Sequence, residues 1–311
     1  MIKEELDIKL IDWSEVQKQV DLIKGNRKDG WGHIITSPDG RFEIEYKYVT
    51  EIRFGPAFYS VKIQDVKSND TIWNGNDRLF GMPPQKDYLS PWSIDSSMIG
   101  LVEWNSNRYG DQSPILIDLK EMNESKLKYS DSLTFHLLTA DKKQAIFKSF
   151  GKENKTILIN NKSEVKTIGL DKSHRNLLVA NTSNPNKIVV IDQINQPKLN
   201  IVNTTTGQIL DSISITPQIF EKLGQLEDIP HEKDIFSGEK DLGILKVGAT
   251  SKLSQGNAKG NVWDDLIWDS SNDRYFLGIM RANSWGQDDY YKGQEWIEIR
   301  IKTGGNNVYT K

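Results

Sequence analysis

A turn followed by a strand returns along this chain and leaves few folds open to it. The first occurrence is SPDGRFEIEYKY, from Ser37 to Tyr48. Pro38 presets φ at the first corner of a tight turn, Asp39 can bond its own backbone, and Gly40 accepts a positive φ. Behind the turn, Phe42, Ile44 and Tyr46 alternate with Glu43, Glu45 and Lys47, the period of a strand buried on one face. Echoes follow as SIDSSMIGLVEW, TADKKQAIFKSF, GLDKSHRNLLVA and WDSSNDRYFLGIM, which place Asp95, Asp141, Asp171 and Asp269 in the turn. A unit of this size cannot bury its faces alone, so stacked copies must supply a continuous core.

Most copies show a second strand that often ends in Asp, as in VKIQD, ILID and IVVID, and the fourth continues into NTTTGQILDSI. Short strands this numerous, without alternating helices, predict an all-β sandwich, barrel or propeller. The copies lie roughly 30 to 56 residues apart before one long gap, which brackets the period of propeller blades. The expected architecture is therefore an all-β propeller of five to seven blades over residues 31–311. Residues 1–30 are expected to form an N-terminal helical extension. In it Ser14 caps, Gln17 takes the capping-box position, and Val16, Val20 and Ile23 share one face before Gly25. That helix, from Ser14 to Lys24, is expected to pack against the outside of the propeller. Within the long gap, TPQIFEKLG reads as a short helix with Thr216 as cap and Pro217 at its first position. LEDIPHEKDIFSGEKD reads as a charged loop and LGILKVGATSKL as a strand pair that can hide a degenerate blade.

Composition removes several classes of function. With 37% apolar and 27% charged residues over 311 positions, the chain is globular rather than disordered. No apolar run approaches a membrane-spanning helix, and the opening MIKEELDIKLIDW has no apolar core of a signal peptide. Zero cysteines exclude disulfides, thiolate metal sites and cysteine nucleophiles, and fit a cytoplasmic location. A net charge of −3 offers no general attraction for nucleic acid. His33, His136, His174 and His231 fall in separate segments without metal-ligand spacing, and no Gly-x-Ser-x-Gly elbow or phosphate loop occurs. The expectation is a non-enzyme without metal or cofactor.

Two aromatic clusters stand out. One is VWDDLIWD with NSWGQDDYYKGQEW, where Trp285, Tyr290 and Tyr291 interleave with Asp288 and Asp289 between two strands. The other comprises EIRFGPAFY, TIWNGNDRLFG and VEWNSNRYG, with Arg53, Tyr59, Trp73, Arg78, Trp104, Arg108 and Tyr109. Aromatics beside Arg or Asp on loops have the composition of protein-binding hot spots. Partner binding is accordingly assigned to Trp285, Asp288, Asp289, Tyr290, Tyr291, Arg53, Tyr59, Arg108 and Tyr109. By contrast, Trp92, Trp104, Trp263, Trp268 and Trp296 read as sheet-packing residues.

HRNLLVANTSNPNKIVVID, from His174 to Asp192, with NTTTGQILDSI after it, resembles blades of bacterial propellers related to the YVTN and WD40-like groups. SPDGRFEIEYKYVTEIRFGPAFYSVKI, with PWSIDSSMIGLVEW, is similar to cytoplasmic bacterial proteins of that type associated with toxin–immunity loci. The resemblance implies a monomeric immunity protein that binds and neutralises a cognate toxin. The acidic loops suit a partner with a basic surface, with no role for nucleic acid or membrane. Two alternatives remain: a propeller enzyme, a hydrolase or lyase using carboxylates near the central channel, and a general scaffold or carbohydrate-binding module.

Overall fold

The computed structural model describes residues 5–23, 32–51, 57–84, 89–106, 111–129, 132–150, 154–160, 162–168, 177–192, 198–215, 263–280 and 294–302. The chain opens with β1 (Glu5–Ile11) and α1 (Trp13–Ile23). The first antiparallel meander follows: β2 (Gly32–Thr36), β3 (Phe42–Glu51), β4 (Ala57–Asp65) and β5 (Thr71–Asn74). A short β6 (Leu79–Phe80) ties it to the second, which contains β7 (Met98–Trp104), β8 (Gln112–Asp118) and β9 (Asn123–Lys126). In the second meander a single bridge, Trp92 to Ile99, stands in the place of a first strand.

The third is β10 (Leu133–Leu138), β11 (Gln144–Phe150), β12 (Asn154–Asn160) and β13 (Val165–Thr167). The fourth is β14 (Leu178–Asn181), β15 (Lys187–Asp192), β16 (Lys198–Asn203) and β17 (Ile209–Ser214). The last described sheet runs β18 (Trp263–Asp269), β19 (Arg274–Met280) and β20 (Gln294–Lys302), and its fourth strand is β1.

That last pairing differs from the helical extension expected of residues 1–30. ELDIKLI alternates with period two, and β1 lies antiparallel to β20 from Glu5↔Lys302 to Ile11↔Trp296. Helix α1 packs on one face of that sheet. Val16 and Val20 are buried against Ile267, Phe276 and Trp296, on the face of the last sheet opposite Leu266 and Tyr275. Trp13 packs on Trp296 with ring centroids 5.6 Å apart. Asp12, rather than Ser14, precedes the first turn, and its carbonyl accepts from the Glu15 N–H at 3.1 Å.

The core is a series of layers between consecutive sheets. One layer joins the first and second meanders through Ile44, Val61, Phe80 and Ile99. Others join the second to the third (Val102, Leu116, Phe135, Phe147) and the third to the fourth (Ile146, Leu158, Ile188, Val190). Another joins the fourth to the last sheet, with Ile8 of β1 among Ile201, Ile215 and Ile297. At Gly100, in the middle of β7, a layer meets backbone: an added Cβ would stand 2.0 Å from Phe135 Cε2.

Candidate functional site

The recurring turn has one hydrogen-bond plan. In the first copy the Ser37 hydroxyl donates to Asp39 Oδ1 at 2.6 Å and accepts from the Phe42 N–H at 2.9 Å. Asp39 Oδ1 also accepts from the Arg41 N–H at 3.0 Å, and Gly40 takes a φ of 72°. Ser93 and Asp95 repeat this with Met98, and Thr139 and Asp141 with Gln144. Here Ser96 and Lys142 hold φ values of 60° and 62° where the first copy has glycine. Ser, Thr and Asp satisfy the turn's own backbone, so the motif needs no partner to form.

The fourth turn is Thr182-Ser-Asn184, with the Asn184 N–H on Thr182 Oγ1 at 3.0 Å. The echo read at Asp171 lies outside the described residues. Thr-x-Asn occupies the slot of Ser-x-Asp, a signal that an insistence on Asp passes over. In the fifth turn Asp269 takes the hydroxyl position and accepts from the Ser271 N–H at 3.1 Å. Asp65, Asp118, Asn160 and Asn203 cap a second series of turns, between third and fourth strands. Of the Asp-ending runs, VKIQD and ILID thus close third strands, while IVVID closes a second strand.

First-to-second-strand turns also bond to one another across sheets. The Asp39 N–H donates to Ser96 Oγ at 3.0 Å, Lys142 Nζ donates to Asp95 Oδ2 at 2.7 Å, and Ser183 Oγ donates to Asp273 Oδ2 at 2.9 Å. Just inside these turns the first strands converge on a cavity of about 160 Å³. Trp92, Leu138, Asn181 and Trp268 line it, and each immediately precedes the first residue of its turn. Two of them also stitch neighbouring sheets: the Trp92 indole N–H donates to the Ile35 carbonyl at 3.2 Å, and Asn181 Nδ2 to the Leu138 carbonyl at 3.0 Å. Helix α1 contributes Gln19. Among the described residues that line it, none has an acidic, basic or charged side chain.

The titratable groups with displaced pKa values lie outside the cavity. Burial works against the Asp95 carboxylate, but bonds from Lys142, Ser97 and Ser93 outweigh it and hold its pKa well below the usual range. Glu298, only 2% exposed, is likewise opposed by burial and lowered by Arg300 and Arg274. Asp269 is lowered by Arg274 and Asn272 against its own desolvation. In the second meander Arg78 bridges Glu103 at 2.7 Å and Glu124 at 2.8 Å and lies over the Trp73 and Phe80 rings. Burial opposes the charged Arg78, and the two glutamates raise its pKa despite it.

These directions fix a pH dependence. A carboxylate whose folded pKa is depressed contributes stability above its unfolded pKa and loses it as pH falls through the folded value. The melting temperature is therefore expected to be level near neutrality and to fall as pH drops below about 4, the ordinary carboxylate range. In Lys142→Met the Asp95 midpoint, followed by carboxyl NMR, is expected to move upward. An unchanged midpoint would show that the cross-sheet lysine does not set it.

Of the assigned partner-binding residues, Arg53, Arg108, Tyr109, Trp285, Asp288, Asp289, Tyr290 and Tyr291 lie outside the described residues. Tyr59 is placed, and it is buried at 4% exposure in the layer between the first two meanders, edge-on to Tyr46 and Tyr48. It lies inside β4, in the run from Phe58 to Val61 that is buried throughout. Trp73, Arg78 and Trp104 are likewise engaged internally: Trp73 Nε1 donates to Glu124 at 3.1 Å, and Trp104 packs edge-on to Phe58. Trp92, Trp104 and Trp296 are buried as sheet-packing residues.

Meanders whose first strands converge on one cavity define the class as an all-β protein of propeller type. No family model and no curated protein matches the chain. Similar solved structures include TolB from Acinetobacter baumannii, at 13% identity over 87% of this chain and 56% of TolB, with a TM-score of 0.38. The β-propeller domain of the Trilobed protease from Pyrococcus furiosus is similar at 13% identity, over 88% of this chain and 70% of that one, with a TM-score of 0.43. An oligogalacturonate lyase in complex with manganese is similar at 12% identity, over 88% and 67%, with a TM-score of 0.43. The chain thus spans little more than half the length of TolB.

Proposed function

We propose that the chain is a non-enzymatic β-propeller of five to seven blades that acts by binding another protein. The observation that carries this reading is the chemistry of the convergence point. A propeller enzyme working with carboxylates is expected to gather a pair of them there, with one pKa raised to serve as acid. Among the described residues the cavity lining is apolar or neutral, and every displaced carboxylate pKa is displaced downward by a structural partner. Support for the binding surface comes from topology. The stretches holding Arg53, Arg108 with Tyr109, and Trp285 through Tyr291 each join a second strand to a third: β3 to β4, β7 to β8, and β19 to β20. These connections are equivalent in chain order, and their aromatic, Arg and Asp residues are proposed together as the binding surface.

In its finer form the proposal is a cytoplasmic immunity protein that neutralises a toxin with a basic surface, which follows the sequence resemblance. The test is affinity capture from native cytosol with the wild-type chain, identification of the retained protein, and co-expression of the two. Trp285→Ala is expected to weaken binding by about 2 kcal/mol, roughly thirtyfold, mainly through faster dissociation. Full affinity in a folded Trp285→Ala protein would remove this surface. A captured partner whose toxicity the chain does not relieve would remove the immunity role and leave the binding role standing.

A further inference from the structure

We infer that α1 is a hinged lid on the last sheet, which opens as a unit about Asp12 while that sheet and β1 stay folded. The inference does not depend on the proposed binding surface, which lies on other connections.

The helix has little stability of its own. It is the eleven-residue WSEVQKQVDLI, with no alanine and with β-branched Val16, Val20 and Ile23. Its last turn carries Asp21 and no cation, the unfavourable sign for the carbonyl end of a helix. Docking therefore holds it in shape, and the dock is narrow. Val16 and Val20 are buried on Ile267, Phe276 and Trp296, with Trp13 against Trp296, while Ser14, Glu15, Gln17, Lys18 and Asp21 are exposed. Glu15 reaches Arg274 at 3.5 Å, but Arg274 is held by Asp269 at 2.7 Å and Glu298 at 2.5 Å without it.

The sheet below does not need the helix in order to persist. Its opposite face is buried against the fourth meander through Leu266, Tyr275, Leu277, Ile297 and Ile299. Its edge strand β1 is paired with β20 from Glu5↔Lys302 to Ile11↔Trp296. That ladder ends at Ile11 and the helix begins at Trp13, which leaves the exposed Asp12 as the joint at this end. A segment with few apolar contacts, attached to a well-packed element, opens at a fraction of the free energy of global unfolding. An opened α1 uncovers Ile267, Phe276 and Trp296 and withdraws Gln19 from the cavity wall.

The experiment is native-state hydrogen exchange of the full chain, read by mass spectrometry over β1, α1, β19 and β20. Amides of α1 are expected to exchange about a hundredfold faster than those of β19 and β20, yet slower than an unstructured peptide, with β1 protected alongside β20. Exchange of α1 at the rate of β19, or of β1 at the rate of α1, would overturn the inference, because the helix would then not open alone. Exchange of α1 at the rate of an unstructured peptide would also overturn it, because the lid would never be shut. Urea denaturation supplies a second reading. Val16→Asp undocks a lid, so adding Val20→Asp is expected to move the global unfolding midpoint no further. Midpoint shifts that add, or failure of Val16→Asp to fold, would show that the sheet depends on the helix and would end the proposal.

Discussion

Gly100→Ala is expected to destabilise the protein by about 2–3 kcal/mol, a large effect for one added methyl group. Gly100 lies within β7, where alanine would ordinarily be the better strand residue. The cost comes from across the layer. Three atoms of the Phe135 ring, Cε2, Cζ and Cδ2, would stand 2.0, 2.6 and 2.7 Å from the new Cβ. Phe135 cannot swing aside, because it is buried and held edge-on by Phe147 at a centroid distance of 5.5 Å. The double variant Gly100→Ala with Phe135→Leu tests this cause directly. Its destabilisation should fall short of the sum of the two single changes by at least about 1 kcal/mol. Additive costs in chemical denaturation would place the penalty somewhere other than this contact.

Ile8→Ala is expected to cost about 2–4 kcal/mol, the range for removing a buried aliphatic side chain from a packed layer. Ile8 is 7% exposed and sits with Ile201 and Ile215 of the fourth meander as well as Ile297 and Ile299 of the last. Its neighbours Asp7 and Lys9 point outward, at 54% and 53% side-chain exposure, so Asp7→Ala is expected to change stability by no more than about 0.5 kcal/mol. Equal effects from Ile8→Ala and Asp7→Ala would mean that β1 does not help hold the last sheet together.

The turns were legible because their chemistry is local. A Ser or Thr two residues before an Asp meets the backbone of its own hairpin, so the pattern at Ser37, Ser93 and Thr139 survives in isolation from the rest of the chain. The fourth described turn was missed because its slot holds Asn184, whose Oδ1 accepts from the Asn186 N–H as Asp39 does from Arg41. The β1 strand was hidden for the opposite reason. Leu6, Ile8 and Leu10 alternate plainly, but a strand is recognised by its neighbour, and this neighbour is roughly 300 residues away. Tyr59 looked like a loop aromatic because EIRFGPAFY contains Gly and Pro, whereas β4 begins at Ala57 and carries the ring inward. The cavity was least legible of all. Asn181 reads as one polar residue in a turn-rich run, and only the approach of Leu138 from another sheet commits one end of its amide and leaves the other open.

The pairing of β1 with β20 also bears on how the chain is made. On a translating ribosome Glu5–Ile11 emerges long before its partner, Gln294–Lys302, which follows only after all the other strands. At a usual synthesis rate of about 5–20 residues per second, that leaves an apolar strand waiting for roughly 15–60 s. The four earlier meanders can assemble in that time, since each finds its strands within its own stretch. The last sheet cannot, and until β20 arrives both it and β1 carry open backbone edges of the kind that pair with foreign strands. A chaperone that holds extended apolar segments would find its target in β1.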